Sequence, residues 1–216
     1  MTDQDTLFDL TPLYNRKIEK PAQARNAIGE CAQRFVTEFL NLSESGIDGR
    51  KAVCPDFHID SSIFGEIKSV GKNNRALIYK WRLEKERANF KDDEFYYVFA
   101  NHRCLISVES GAHVVQYFKD NPPVLYVCTL GDIHALLSQK KVKKFSLFKE
   151  DPNPRIGYNR KGYIDGGWQF SLREFNFSGC ILKESIYCSS PVFTRVYYTE
   201  GGLNLITRLQ PVAKNL

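Results

Sequence analysis

The sequence predicts a mixed α/β fold, with a central mixed sheet flanked by helices and a loop- and strand-rich C-terminal extension. Up to about residue 140, apolar runs of strand length alternate with amphipathic segments of helix length. An extended segment at residues 63 to 70, a helical segment and the aromatic run "EFYYVFA" follow one another. This order predicts two parallel strands joined by a crossover helix, and therefore a mixed sheet.

Length and composition suit one well-buried domain with an appendage. The chain has 216 residues, of which 43% are hydrophobic and 25% are charged. Thirty Lys and Arg against 25 Asp and Glu give a net charge of +5, which is compatible with a polyanionic partner without requiring one. The chain has no apolar run long enough to span a membrane and no signal peptide at its polar start, "MTDQDTLFDL". We expect a soluble, cytoplasmic protein.

The first elements are a helix and a hairpin. Pro21 suits a helix start, and apolar residues at helical spacing predict a helix from about residue 21 to 41. Two extended segments, residues 53 to 59 and 63 to 70, are separated by "DSS", which predicts a tight hairpin. The next stretch, "NNRALIYKWRLEKERANF", is typical of a basic amphipathic helix.

Further elements alternate up to about residue 140. The segments "CLISVES" and "PVLYVCTL" predict strands, and "GAHVVQYFKD" and "DIHALLSQKK" predict helices. In the extension, "GCILKESIYC" and "VFTRVYYTEGGLNLITRL" are strand-like, the second with a Gly-Gly hairpin. We divide the chain into a core, residues 1 to 140, and an extension, residues 141 to 216, within one globular unit.

Cysteine and histidine spacing argues against a zinc enzyme. The six cysteines form no CxxC pair, and the four histidines have neither HxxxH nor HExxH spacing. Several cysteines lie in apolar runs, where a reduced thiol behaves as a small hydrophobic group. We expect mainly buried thiols.

The stretch "CPDFHIDSSIFGEIKS" places two acids and a lysine in an apolar hairpin. Glu66 and Lys68 are two residues apart on a strand and share one face. A three-residue turn at residues 60 to 62 would pair Ile59 with Ile63 and set Asp56 opposite Glu66. A two-residue turn would instead move Asp56 to the other face.

Two carboxylates on one face indicate a cation site. They repel each other, so a dry site protonates one of them unless a cation is bound. Mg²⁺ takes oxygen ligands, usually one or two carboxylates with waters and a substrate phosphate. Lys68 is then placed to orient a water for attack on phosphorus. The alternative is an exposed hairpin in which Asp56, Glu66 and Lys68 are simply solvated.

The pattern "PD", nine residues, then "EIK" resembles the PD-(D/E)XK nuclease signature. The order of helix, strand hairpin, crossover helix and parallel strand is similar to that family's core over about residues 21 to 130. The resemblance implies a restriction-endonuclease-like core. The close spacing of the acids resembles phage junction endonucleases and archaeal resolvases more than many restriction enzymes.

The resemblance also implies a magnesium-dependent phosphodiesterase, with Mn²⁺ as a substitute. Asp56, Glu66 and the carbonyl of Ile67 would be metal ligands, and Lys68 would act at the water.

The family also places a glutamate of the first helix in the site. Glu30 and Glu38 compete for that role, and Glu30 lies nearer the helix start, where such families usually place it. The short link between helix and motif departs from the pattern, which implies a truncated or displaced first strand.

Basic residues next to the motif are candidates for contacts with DNA phosphates. The extension adds stretches that interleave basic and aromatic residues, "KKVKK" and "RIGYNRKGY". The candidate DNA-binding residues are Lys72, Arg75, Lys80, Arg155, Arg160 and Lys161.

The sequence therefore predicts a magnesium-dependent DNA endonuclease. A sequence-specific type II restriction enzyme is favoured by the large individual C-terminal part, whereas the tight motif favours a phage-type junction-resolving or repair nuclease. A nuclease-fold DNA-binding protein without activity is the alternative from another class. We expect a homodimer, because two antiparallel strands are most simply cut by two sites related by a twofold axis.

Overall fold

The structure is a computed structural model and confirms the mixed α/β class. It describes residues 11–44, 55–59, 62–104, 107–145, 166–187 and 190–209. The helices are α1 (Thr11–Tyr14), α2 (Pro21–Leu40), α3 (Lys80–Asn89), α4 (Gly111–Asp120), α5 (Leu130–Ser138) and α6 (Leu203–Leu209). The first five strands are β1 (Ser43–Glu44), β2 (Phe57–Ile59), β3 (Ile63–Val70), β4 (Arg75–Tyr79) and β5 (Phe95–Asn101). The others are β6 (Val124–Thr129), β7 (Lys143–Phe145), β8 (Gly167–Ser171), β9 (Phe177–Tyr187) and β10 (Ser190–Thr199).

Seven strands form the central sheet in the order β1-β2-β3-β5-β6-β10-β9. The predicted parallel pairing of β3 with β5 is confirmed, and β10 is parallel to β6. The other neighbours in this sheet are antiparallel. A smaller antiparallel sheet has the order β4-β8-β7. The central sheet is therefore mixed, as the sequence predicts.

Each face of the central sheet has its own hydrophobic core. Ile63 and Ile67 of β3 belong to the core that contains α2, α4 and α6. Val70 belongs to the other core, with α3, α5 and the small sheet, and Phe64 packs against it. This division follows from strand alternation, because odd and even residues of β3 point to opposite faces. Glu66 and Lys68 are even-numbered and point to the α3 side.

The register of the hairpin agrees with the three-residue turn. Ile59 pairs with Ile63, and Phe57 pairs with Gly65. Ser62 is described as a turn residue, whereas Asp60 and Ser61 lie outside the described residues. The pairing places the start of β2, and Asp56 before it, beside Gly65 and Glu66.

Residues 75 to 79 form strand β4 and not the first turns of the predicted helix. Ala76 and Ile78 are buried, whereas Arg75, Leu77 and Tyr79 are exposed, which is the period of a strand. The strand forms because β8 pairs with it along its whole length. Its partner lies about ninety residues further along the chain, so local sequence favoured the helix.

Two further predictions, the strand at "CLISVES" and the Gly-Gly hairpin, are wrong within the described residues. Residues 107 to 109 are not in a strand. Ser110 instead caps α4, because its Oγ accepts from the backbone N–H of His113. The Gly-Gly stretch leads into α6 and not into a second strand. There the N–H of Gly202 donates to Oγ1 of Thr199 at 3.0 Å, which turns the chain from β10 toward the helix.

The C-terminal part contributes to both sheets. β9 and β10 extend the central sheet, and β7 and β8 pair with each other and with β4. Val192 and Val196 of β10 are buried in the same core as α2. Among the described residues, no helix combines the length and the apolar character needed to cross a membrane.

A close approach at Gly65 supports the geometry next to Asp56. A Cβ added at Gly65 would lie 2.7 Å from the backbone oxygen of Tyr96 and would overlap the ring of Phe57. We expect Gly65→Ala to lower the free energy of unfolding by about 1–3 kcal/mol, as overpacking does, when measured by urea denaturation.

Gly29→Ala is the matched control. Gly29 lies within α2, and a Cβ there would meet nothing within 4 Å. We expect this variant to gain about 0.5–1 kcal/mol, because alanine favours a helix over glycine. Equal urea midpoints for Gly65→Ala and the unmodified protein would contradict the packing described for β2 and β3.

Candidate active site

The carboxylate of Asp56 is fixed at the edge of β3. The N–H of Asp56 donates to the carbonyl of Gly65 at 2.7 Å, which continues the pairing of β2 with β3. The N–H of Ile67 donates to Oδ2 of Asp56 at 2.8 Å. Asp56 is thus held by backbone groups of the strand that carries Glu66 and Lys68.

Glu66 is a buried carboxylate that is paired with two positively charged side chains. Its side chain is 4% exposed. Oε1 accepts from Nζ of Lys68, and Oε2 accepts from the guanidinium of Arg82 on α3. A carboxylate is almost never buried without such partners, because the cost of removing its charge from water is large. The two pairs explain how the strand tolerates this residue.

Helix α3 continues the network with a second buried acid. Nε of Arg82 donates to Oε1 of Glu86 at 2.9 Å, and the hydroxyl of Tyr97 on β5 donates to Oε2. Glu86 is 5% exposed. The network therefore runs from Lys68 through Glu66, Arg82 and Glu86 to Tyr97, and it joins β3, α3 and β5.

The acids and cations of this network balance one another, and Asp56 lies beside it as an additional acid. Burial and, next, the negative charge of Glu66 together raise the pKa of Asp56 from 3.8 to about 7. Lys68, the N–H of Ile67 and Arg82 oppose the rise without cancelling it. Burial also raises the pKa of Glu86. An acid with a raised pKa beside a second carboxylate either holds a proton or needs another cation.

The backbone of Ile67 presents a third oxygen at this edge. In a strand, the N–H and the carbonyl of one residue point to the same side. For this reason two opposite residues of an antiparallel pair can form two hydrogen bonds with each other. The N–H of Ile67 points to Asp56, so its carbonyl points to the same edge. Among the described residues, strand β2 begins at Phe57 and its pairing with β3 stops at Gly65, before Ile67.

These donors fit magnesium in kind. Mg²⁺ is usually bound by one or two carboxylates and keeps several waters, and this edge offers Asp56, Glu66 and the carbonyl of Ile67. In the part of the chain that the structure describes, no three or more His, Cys, Asp or Glu side chains are grouped to hold a metal ion. The two carboxylates and one backbone oxygen stay a predicted donor set.

The contacts of Glu30 do not support its expected place in the metal site. Its carboxylate accepts from Nη1 of Arg16 at 2.8 Å and from Nη2 of Arg34 at 3.3 Å. Helix α2 packs on the face of the sheet to which Ile67 points, whereas Glu66 points to the opposite face. Glu38, the alternative, lies on the same helix.

Two of the predicted DNA-binding residues lie together. Lys72 and Arg75 line a groove of about 690 Å³ that begins at Ser69 and Gly71, just beyond Lys68 on β3. Nζ of Lys80 lies 3.7 Å from Oε1 of Glu84, on the first turns of α3. The other predicted residues, Arg155, Arg160 and Lys161, lie outside the described residues.

Sequence reasoning missed the roles of Arg82, Glu86 and Tyr97. From the sequence, Arg82 and Glu86 are simply part of the basic amphipathic helix predicted for this stretch. Both instead point to Glu66 and Tyr97. The available signal was the spacing of Arg82 and Glu86, four residues apart on a helix, which predicts an ion pair but not its burial.

Comparisons of the chain with family models, with curated proteins and with solved structures gave no match. The geometry and chemistry of this site are therefore the basis for proposing a function.

The raised pKa of Asp56 makes stability depend on pH. Between about pH 4 and pH 7 the folded state holds a proton on Asp56 that the unfolded state has lost, so stability falls as pH rises through this window. In EDTA, we expect Asp56→Asn to raise the free energy of unfolding at pH 8 by about 1–3 kcal/mol and to flatten this fall. Urea denaturation at several pH values measures both effects.

Asp93→Asn is the control, because Asp93 is exposed. It should leave the pH dependence of stability unchanged. A pH profile of Asp56→Asn identical to that of the unmodified protein would show that Asp56 is not a strained buried acid.

Proposed function

We propose that the protein is a magnesium-dependent DNA endonuclease that hydrolyses phosphodiester bonds, with Mn²⁺ as a substitute. The observation that carries the proposal is the pair of carboxylates Asp56 and Glu66 on β2–β3, where burial and the charge of Glu66 raise the pKa of Asp56 to about 7. A divalent cation would stabilise such a pair by neutralising both carboxylates. A divalent cation with a lysine nearby is suited to the hydrolysis of phosphodiester bonds.

Asp56, Glu66 and the carbonyl of Ile67 would hold the ion. When bound, Mg²⁺ supplies positive charge at the phosphate and lowers the pKa of a bound water. The side chain of Lys68 is 27% exposed, and its ammonium, which binds Oε1 of Glu66, would orient the attacking water. Lys68 would also stabilise negative charge that develops on the phosphoryl oxygens.

Within this class we favour a sequence-specific restriction-type enzyme that acts as a homodimer. The strands added by the C-terminal part extend both sheets, and additions to the core are the usual place for sequence readers. A phage-type junction-resolving or repair nuclease is the alternative, because only ten positions separate Asp56 from Glu66.

One observation favours a DNA-binding protein without catalytic activity. Arg82 binds Oε2 of Glu66 while Lys68 binds Oε1, so both oxygens already have cationic partners. If that arrangement persists when DNA binds, the acid pair is a structural ion-pair network. Incubation with plasmid DNA and Mg²⁺ separates the proposals: discrete bands indicate site reading, nicking or a smear indicates structure preference, and intact plasmid supports the binding protein.

Lys68→Ala tests the chemistry. We expect it to abolish plasmid cleavage in Mg²⁺, because it removes the charge that positions the water. Its affinity for DNA should stay within a few-fold in Ca²⁺, which coordinates more loosely and supports little cleavage.

Lys17→Ala is the control, since Lys17 is exposed and pairs only with Glu19 among the contacts described. It should cleave normally. Full cleavage by Lys68→Ala would remove Lys68 from the active site.

Lys72 and Arg75 test the DNA path. Replacing both with glutamine should weaken binding to all sequences and reduce the salt dependence of log K by about 0.9 for each lost phosphate contact. Fluorescence anisotropy at several salt concentrations measures the slope.

The control is the double variant Lys91→Gln with Arg173→Gln, which removes two exposed charges outside the groove. An equal change of slope in both double variants would indicate only a loss of net charge. An unchanged slope on replacing Lys72 and Arg75 would move the DNA path elsewhere.

A further inference from the structure

The groove beyond Lys68 is positively charged on three sides. Arg25 of α2, Lys72 and Arg75 after β3, and Arg103 after β5 all line it. Among the described residues, its lining contains no Asp or Glu. Four cations with no acid in the wall would attract an anion, and nearby fixed charges of one sign raise the local concentration of such a ligand.

Ser69 contributes a hydroxyl group whose direction is fixed by His102. Nδ1 of His102 accepts from the N–H of Cys104 at 3.1 Å, so this nitrogen carries no proton. The ring proton is therefore on Nε2, which lies 2.8 Å from Oγ of Ser69 and donates to it. Burial lowers the pKa of His102 to about 4, which keeps the ring neutral.

The hydroxyl proton of Ser69 is therefore not engaged in the hydrogen bond with His102. A serine hydroxyl can accept and donate at the same time, and here the acceptor position is filled by Nε2–H. Ser69 is exposed and lines the groove, so its O–H is free of His102 and can donate to a ligand there.

His102 itself is rigidly supported. It is 7% exposed, and its backbone N–H donates to the carbonyl of Val70 at 2.9 Å. Its ring packs on the ring of Phe118, with centroids 5.5 Å apart. A buried histidine with both ring nitrogens engaged holds Oγ of Ser69 in one place. Such pre-organisation lowers the entropy cost of binding.

We propose that this groove is a phosphate-binding subsite for the DNA backbone, in which Ser69 donates a hydrogen bond to a phosphate oxygen and Arg25 and Arg103 neutralise its charge. The inference rests on the proposed function, since DNA is the ligand. It adds Ser69, Arg25 and Arg103 to the binding surface and makes His102 a positioning residue. Backbone phosphates suit such a surface, because arginine, serine and lysine are their common partners.

Binding of a short labelled DNA duplex in EDTA tests the inference without cleavage. Ser69→Ala should raise Kd about ten- to hundredfold, the value of a hydrogen bond to a charged group, and leave the salt slope unchanged. Ser69→Thr keeps the hydroxyl and should restore most of the affinity. Arg25→Gln and Arg103→Gln should each reduce the salt slope by about 0.9.

The matched controls lie outside the groove. Ser178→Ala removes an exposed hydroxyl on β9, and Arg173→Gln removes an exposed charge after β8. Neither should change affinity as the groove variants do. Thermal unfolding of each variant separates a loss of binding from a loss of structure.

The outcomes are distinguishable. DNA binding that is unaffected by the Ser69, Arg25 and Arg103 variants would overturn the subsite and leave the proposed nuclease intact. No binding of DNA at all would overturn both. Titration with inorganic phosphate provides the remaining arm: phosphate binding that depends on Ser69 in a protein that does not bind DNA would show a small-anion site and refute the DNA-backbone assignment.

Discussion

Glu66 is a buried carboxylate, and its burial constrains the elements around it. Its side chain is 4% exposed, and an unpaired charge at such a position would cost several kcal/mol. Lys68 comes from the same strand, but Arg82 comes from α3, so the helix must pack with that side chain inward. Arg82 in turn requires Glu86, and Glu86 requires Tyr97 on β5. One buried charge thereby fixes the orientation of α3 on the sheet.

The same network explains why Asp56 is the residue under electrostatic strain. Glu66 and Glu86 bring two negative charges, Lys68 and Arg82 bring two positive charges, and these four groups are mutually paired. Asp56 adds a third acid, for which the network has no remaining cation. Lys68, the N–H of Ile67 and Arg82 oppose the rise of its pKa without preventing it. The missing charge is what a proton or a divalent ion would supply.

The sequence predicted the parts of the site that depend on strand alternation. Glu66 and Lys68 share a face, and Ile59 pairs with Ile63, because a hydrophobic hairpin permits one register. It did not predict β4 or the inward direction of Arg82, because both depend on partners remote in the chain, β8 and Glu66. The contacts of Glu30 with Arg16 and Arg34 were not predictable for the same reason: helical periodicity gives the apolar face of α2, but not which arginines meet its acids.

The division of β3 into two faces also limits how DNA could lie. Lys68 and Ser69 are consecutive, so their side chains point to opposite sides of the sheet, one toward α3 and the other toward α2. A strand of DNA that contacts both would therefore have to pass across the end or the edge of β3, and not along either face. Strand alternation thus separates the acid pair from the basic groove, and only the margin of the sheet brings one ligand to both.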